Sequence, residues 1–176
     1  KHTGISGLDK ALDGGIPKGH IVLASGTTGS GKTLSGLQFL QAGIQEGESG
    51  VYVALEEPIQ QIKKTAEEHG WDLSAHESNN RLRFVTSDLI DPVPDQLLAE
   101  IVEAVSEIGA QRLVFDSISS IMSASMDRES VRQFLLQLAN FLKYKGITSI
   151  LSYLMSSNFG AEKEQLLSAL ETNTMR

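Results

Sequence analysis

Ile21-Val22-Leu23-Ala24-Ser25-Gly26-Thr27-Thr28-Gly29-Ser30-Gly31-Lys32-Thr33-Leu34 is the stretch that decides the fold. Its first four residues form an apolar run that ends in glycine-rich sequence, which reads as a buried strand. Gly26 to Thr33 then matches G-x-x-x-x-G-K-[ST]. Beyond it Leu34, Leu37, Leu40 and Ile44 recur at helical spacing until Gly47. Strand, glycine loop and helix in that order are the context this motif requires to bind phosphate. Glycines let the loop wrap so that successive N–H groups point inward at phosphate oxygens. The helix that follows turns its positive end to the same anion. Thr27, Thr28, Gly29, Ser30, Gly31, Lys32, Thr33 and Leu34 are therefore the expected nucleotide-binding residues. Lys32 would neutralise the β- and γ-phosphates, and the Thr33 hydroxyl would ligate Mg²⁺. A dinucleotide fingerprint and a protein-kinase loop are both poorer readings, because Gly29-x-Gly31 is followed by Leu34 where a third glycine is needed.

Outward from this loop the pattern repeats. Apolar runs at 51–55, 81–85, 112–115 and 147–154 predict four more strands. Helical periodicity predicts helices over 32–46, from Pro58 to Gly70, over 96–108, over 130–145 and over 163–170. Ser6-Gly7-Leu8-Asp9 reads as a capping box for a short first helix. Segments 71–80 and 118–128 carry little pattern. Strands joined by helices must run parallel, and interiors without polar alternation belong to a sheet covered on both faces. The expected fold class is a three-layer α/β domain.

Composition sets the outer bounds. The 176 residues hold 15 Lys+Arg against 22 Asp+Glu, a net charge of −7, with 40% hydrophobic residues. That is enough apolar material for one core and argues against disorder. The acidic balance is a poor match to a nucleic-acid backbone binder, and no cluster of basic residues with interleaved aromatics appears. No apolar run approaches the ~20 residues of a membrane span, so no membrane insertion is expected. The chain has no cysteine, which excludes disulfides and thiolate metal sites and fits a reducing, cytoplasmic setting.

A magnesium–phosphate site needs a carboxylate beside the loop. Leu113-Val114-Phe115-Asp116 places an Asp at the carboxyl end of a strand, the edge where open α/β sheets bind ligands, so Asp116 joins Thr33 as an expected metal residue. Glu56 and Glu57 follow the second strand at the same edge. A regular strand aims only one of two neighbours at a given point, so the residues alone leave the pair balanced between orienting water and simply starting a helix.

Thr3-Gly4-Ile5-Ser6-Gly7-Leu8-Asp9, Gly14-Gly15-Ile16-Pro17-Lys18-Gly19, the phosphate loop, Leu55-Glu56-Glu57-Pro58 and Phe115-Asp116-Ser117 occur in this order. In them the chain resembles the KaiC family of RecA-type P-loop ATPases over residues 3–154. The resemblance implies a RecA core with strand order 3-2-4-5-1 and ATP and Mg²⁺ as cofactors. It implies Glu56 and Glu57, with Lys32, as catalytic residues. It also implies a homo-oligomer, usually a hexameric ring with ATP between subunits, and protein partners; some members phosphorylate Ser or Thr. Two departures stand out. The fifth strand of the family often ends in Thr-Thr-Glu, where Ser152-Tyr153-Leu154 stands here. Members also continue into further strands and a Lys/Arg segment that reaches the neighbour's phosphate, so 1–176 is expected to be one such domain truncated at its C-terminus, with residues 21–24 at the sheet edge.

Remaining candidates carry less. His2, His20, His69 and His76 lack metal-ligand spacing and are expected to be structural. Arg81, Arg83, Arg112, Arg128 and Arg132 are expected to be ordinary surface residues, with action on a neighbour's nucleotide as the lesser alternative. Ser117 reads as a turn residue, with a phospho-acceptor role as its alternative. Ser119, Ser120, Ser123 and Ser125 are expected, by the resemblance, in a loop facing the ring's centre. Trp71, Tyr52, Tyr144 and the phenylalanines are expected to pack in the core. The function expected is slow ATP hydrolysis. A nucleotide-gated assembly or signalling module is the alternative, and a recombinase-like single-strand DNA binder a lesser one.

Overall fold

The five expected strands all form, and every pairing between them is parallel. The computed structural model describes residues 1–87, 94–124 and 127–155. In chain order the elements are α1 (Ser6–Ala11), β1 (Ile21–Gly26), α2 (Lys32–Gln45), β2 (Gly50–Ala54), α3 (Ile59–Glu68) and α4 (Leu73–Ser78). They continue with β3 (Leu82–Val85), α5 (Pro94–Ile108), β4 (Arg112–Asp116), α6 (Ile118–Ala124), α7 (Arg128–Lys145) and β5 (Thr148–Leu154). The sheet order is β1-β5-β4-β2-β3, the 3-2-4-5-1 order of the RecA core read from the other edge.

Alternation along the strands separates two apolar cores. On one face Tyr52, Val114 and Ile150 pack against Leu37 and Leu40 of α2, Ile62 of α3 and Leu73 of α4. On the other, Val53, Phe115 and Leu151 pack against Ile101 of α5, Ile121 of α6 and Leu138 of α7. Three layers result. Among the described strands β1 lies at an edge of the sheet and β4 at its centre. The connections that leave β2 and β4, neighbours at the centre, run in opposite directions, to β3 and to β5, and there the carboxyl ends of strands open a crevice.

Several local expectations are corrected. Residues 118–124 form α6, because Ile118 and Ile121 sit one turn apart and both bury. Three serines in the segment mask that short period. Ser119 and Ser120 thus lie on a helix packed by the sheet, and the Ser119 hydroxyl accepts a hydrogen bond from the Leu154 amide at 2.7 Å. Ser125 falls outside the described residues, as does the helix expected over 163–170. Residues 73–78 form α4, whose N-cap Asp72 accepts from the Ala75 amide. The capping box at Ser6 does not form. Asp9 instead turns its carboxylate to the Thr3 amide (2.7 Å) and the Thr3 hydroxyl (2.8 Å), tying the N-terminal segment to α1. Tyr144 does not join the core: it stands on the outer face of α7, 86% exposed. Trp71 does pack against a core, the one below α2 and α3, with His69 stacked on its ring.

Candidate functional site

The loop between β1 and α2 is built from backbone that side chains resist. Gly31 has φ +86° immediately before Lys32, in the left-handed region, and this lets the chain turn from the loop directly into the first helical residue. Thr27, Thr28, Gly29, Ser30 and Gly31 are exposed at the carboxyl edge of the sheet, while Lys32, Thr33 and Leu34 begin α2. Lys32 folds its ammonium back over the loop, donating to the carbonyl oxygens of Thr27 (2.8 Å) and Gly26 (3.1 Å). The eight residues named from the motif thus form one continuous cradle at a helix N-terminus, a fit to polyphosphate chemistry.

Asp116 ends β4 beside this cradle and is 2% exposed. Its Oδ2 accepts from the Thr33 hydroxyl at 2.8 Å and from the Tyr52 phenol at 2.7 Å, and its Oδ1 accepts from the Ser152 hydroxyl. Thr33 and Asp116, singled out separately in the sequence, are therefore in direct contact. Hydroxyl and carboxylate oxygens are the hard donors that Mg²⁺ takes, so the residues present fit that ion. Among the described residues no group of three or more His, Asp or Glu side chains converges, which leaves the rest of such an ion's shell to phosphate and water. Tyr52 and Ser152 were not legible as site residues. Tyr52 reads as one apolar position in a buried run, and only the neighbouring strand shows what its hydroxyl meets. Burial first, and the Asp116 charge second, push the Tyr52 phenol well up, so it stays protonated and donates.

Glu56 and Glu57 follow β2 at the same edge. The amides of Leu55 (2.8 Å) and Glu56 (3.2 Å) both donate to the Asp116 carbonyl oxygen, which fixes the start of the acidic pair against the end of β4. Glu56 is exposed and Glu57 half-buried; Asp116, Ser117 and Lys32 all act on the Glu56 carboxyl group, and the charge of Glu57 acts on Tyr52. The pKa of Glu56 is pushed up, first by partial burial and then by the Asp116 charge, while a hydrogen bond from the Ser117 hydroxyl and the charge of Lys32 oppose the rise. Ser117, joined to Asp116 by a cis peptide, is fully buried, and its hydroxyl also meets that of Ser120 at 3.2 Å.

The arginines separate into two kinds. Arg81 donates to the Gly47 carbonyl, Arg83 pairs with Glu107, Arg132 pairs with Glu129, and Arg128 is exposed. Arg112 corrects the expectation of a surface residue, since its side chain is 1% exposed. It opens β4, at the opposite end from Asp116. Its Nε donates to Glu48 at 2.5 Å, its Nη2 to Glu46 at 2.9 Å, and its Nη1 to the carbonyls of His2 (2.5 Å) and Phe39 (2.8 Å). The guanidinium lies over the Phe39 ring, 4.6 Å from its centroid. Gly43 makes this possible, because a Cβ there would meet the Arg112 Nε at 2.3 Å. His2 pairs with Glu46 and His76 with Gln41, both remote from the phosphate loop in sequence and fold.

Comparison with known proteins agrees with this geometry. The sequence profile of the family described as "ATPase: KaiC" matches residues 1–171. The circadian clock protein KaiC3 of Synechocystis is 38% identical over 162 residues, covering 85% of this chain and 32% of that protein. A UPF0273 protein of Methanopyrus kandleri is 35% identical over 167 residues, covering 85% of this chain and 64% of that one. The chain thus spans about a third of the first relative's length and just under two-thirds of the second's. The crystal structure of a KaiC-like protein from Pyrococcus horikoshii superposes with a TM-score of 0.82 at 35% identity, over 94% of this chain and 76% of that one. Among the described residues no helix is long and apolar enough to cross a membrane. With its phosphate loop, its parallel sheet order and its profile match in agreement, this chain belongs to the KaiC family of RecA-type ATPases.

Proposed function

We propose that this chain binds ATP with Mg²⁺ and hydrolyses it slowly, working in a cytoplasmic homo-oligomeric ring that couples nucleotide state to a protein partner. The observation that carries the reading is the 2.8 Å contact between the Thr33 hydroxyl and Asp116 Oδ2, which joins the phosphate cradle to the one buried carboxylate at the centre of the sheet. Magnesium held there with the nucleotide supplies positive charge to the phosphate oxygens. Lys32 exchanges its two loop carbonyls for the β- and γ-phosphates. Glu56, steadied by the Ser117 hydroxyl, orients the attacking water and accepts its proton; Glu57 supports it from the next position. The ring and the partner rest on family kinship. The cysteine-free composition accords with the cytoplasm. Lys32→Ala is expected to abolish binding of a fluorescent ATP analogue. Glu56→Gln/Glu57→Gln is expected to keep that binding and lose phosphate release. Parent-like hydrolysis by the double variant sinks the catalytic assignment.

A second reading, a nucleotide-gated assembly module with little turnover, is favoured by one position. Leu154 pairs in register with Gly26 at the mouth of the loop, so an apolar side chain stands where the resemblance places a phosphate-sensing Glu. Sedimentation with and without ATP, run beside a phosphate-release assay, separates the two. Turnover without any nucleotide effect on assembly removes the second reading.

A further inference from the structure

The hydroxyls around Asp116 come from three parts of the fold: Thr33 from the first turn of α2, Tyr52 from β2 and Ser152 from β5. β2 and β5 are the two strands that flank β4, so the carboxylate is held from both sides. Ala54 is the partner of Asp116 across the β2–β4 pair, and Tyr52 is the partner of Val114. Tyr52 therefore sits two residues short of the site on the same face of the sheet. Ala54, level with Asp116, carries only a methyl on that face, and the phenol reaches Oδ2 diagonally across the strand pair at 2.7 Å. Tyr52 is completely buried, and its ring lies 5.8 Å from that of Phe84 among aliphatic neighbours. Phenylalanine would fill this space equally well. The hydroxyl is thus explained by the polar group it meets at the carboxyl edge, the Asp116 carboxylate with the Thr33 hydroxyl beside it.

The chemical type of the donors matters. Among the described residues no Lys, Arg or His forms an ion pair with Asp116. Hydroxyl donors fix the direction of a carboxylate while leaving its charge uncancelled. A guanidinium or ammonium would neutralise that charge and compete with an incoming cation. A buried carboxylate held by three neutral donors is oriented, and its full charge remains available.

We propose that Tyr52 and Ser152 are positioning residues that hold the Asp116 carboxylate in place for the divalent cation arriving with the nucleotide. The proposal rests on the reading above in which Thr33 and Asp116 hold that cation. Thr33 contributes from the nucleotide side, at the start of α2. Tyr52 and Ser152 contribute from the sheet, so the carboxylate keeps its direction whether or not the loop is engaged.

The test titrates MgCl2 into the full chain at a fixed concentration of fluorescent ADP and compares it with nucleotide affinity in EDTA. Tyr52→Phe is expected to raise the Mg²⁺ half-saturation about tenfold, as loss of a hydrogen-bond partner behind a metal ligand does. Its nucleotide affinity in EDTA should stay within about twofold of the parent, since no phosphate contact is touched. Ser152→Ala is expected to shift in the same direction, and Ser152→Thr, which keeps the hydroxyl, to behave as the parent. Asp116→Asn separates this proposal from the one beneath it. If Asp116→Asn raises the Mg²⁺ requirement while Tyr52→Phe and Ser152→Ala do not, the positioning role is overturned and the metal assignment stands. If Asp116→Asn leaves the Mg²⁺ requirement unchanged, both fall. Equal weakening by Tyr52→Phe with Mg²⁺ and in EDTA marks a packing defect and also overturns the proposal.

Discussion

Replacing Arg112 with methionine removes the guanidinium while keeping an unbranched side chain beside Phe39. Its consequence is set by what is left behind. Glu48, 7% exposed, loses its Nε donor and keeps only the Lys1 ammonium. The Phe39 and His2 carbonyls lose their shared Nη1 donor. Leaving a buried acceptor without its partner costs about 1–3 kcal/mol, and here the Phe39 carbonyl loses its donor while Glu48 stays buried with one of its two cationic partners gone, so a loss of about 3 kcal/mol is expected. Against a typical total stability of about 5–15 kcal/mol this is a large fraction. Urea unfolding followed by the fluorescence of the single tryptophan, Trp71, reads the loss directly, since that ring packs against the core on the same face of the sheet. Adding Glu48→Gln to Arg112→Met removes the stranded charge and should recover at least about 1 kcal/mol, a coupling expected for residues in direct contact. Under native conditions the variant should bind nucleotide like the parent, because Arg112 and Asp116 lie four residues apart along β4, about 13 Å. A loss below about 1 kcal/mol, or simple additivity with Glu48→Gln, would refute the argument that this arginine is a buried tie.

Three further outcomes follow from other parts of the molecule. Glu56→Gln alone should lower the rate of phosphate release about 100-fold or more, whereas Glu57→Gln should lower it less than about tenfold, because Asp116, Ser117 and Lys32 all act on Glu56. Equal losses in single-turnover assays would remove that ranking. The acid limb of the parent's pH–rate profile should lie above the ordinary glutamate range: the pKa of Glu56 is raised by burial and by Asp116, so the base is protonated and lost earlier as pH falls. An acid limb at the usual glutamate position argues against Glu56 as the base. Asp127 caps α7 through the amides of Glu129 and Ser130, and its pKa is depressed, chiefly by the Ser130 hydroxyl. Its stabilising effect is present above the unfolded-state pKa and is lost as pH falls through the folded one. The difference in melting temperature between parent and Asp127→Ala should therefore be larger at pH 7 than at pH 3, and a difference independent of pH contradicts this role.

The strands and the phosphate loop were legible because each rests on local information. An apolar run of four to seven residues, a glycine at a required turn and a helical period are all written within a short window. Asp116 was legible for the same reason, since it stands where an apolar strand stops. The order of strands was not contained in any window and came from the family resemblance. What surrounds Asp116 was hidden, because Tyr52, Ser152 and Thr33 meet only after four crossovers bring their elements together. Arg112 was misread for a related reason. A charged residue at the start of a strand ordinarily faces water, and its burial depends on Glu48, in the connection between α2 and β2, and on the close approach of Gly43 of α2. The α6 helix was missed because two isoleucines one turn apart are too short a period to stand out among serines.

The position of β1 has a consequence for how the chain acquires its function. Ile21 pairs with Ser149 and Gly26 with Leu154, so the strand that carries the phosphate loop precedes the other four described strands in the chain and pairs with the last of them. The loop's two flanks, β1 and α2, can collapse together early, but β1 enters the sheet only when β5 has emerged. Pairings of such sequence separation close slowly, because a long stretch of chain must be ordered before they form. During synthesis the nucleotide cradle would therefore exist as a local turn before it exists as a site. The Thr33 hydroxyl and the Asp116 carboxylate come into register as β1, β4 and β5 close. On this topology the contact between Thr33 and Asp116 is a late event that follows the pairing of the described strands.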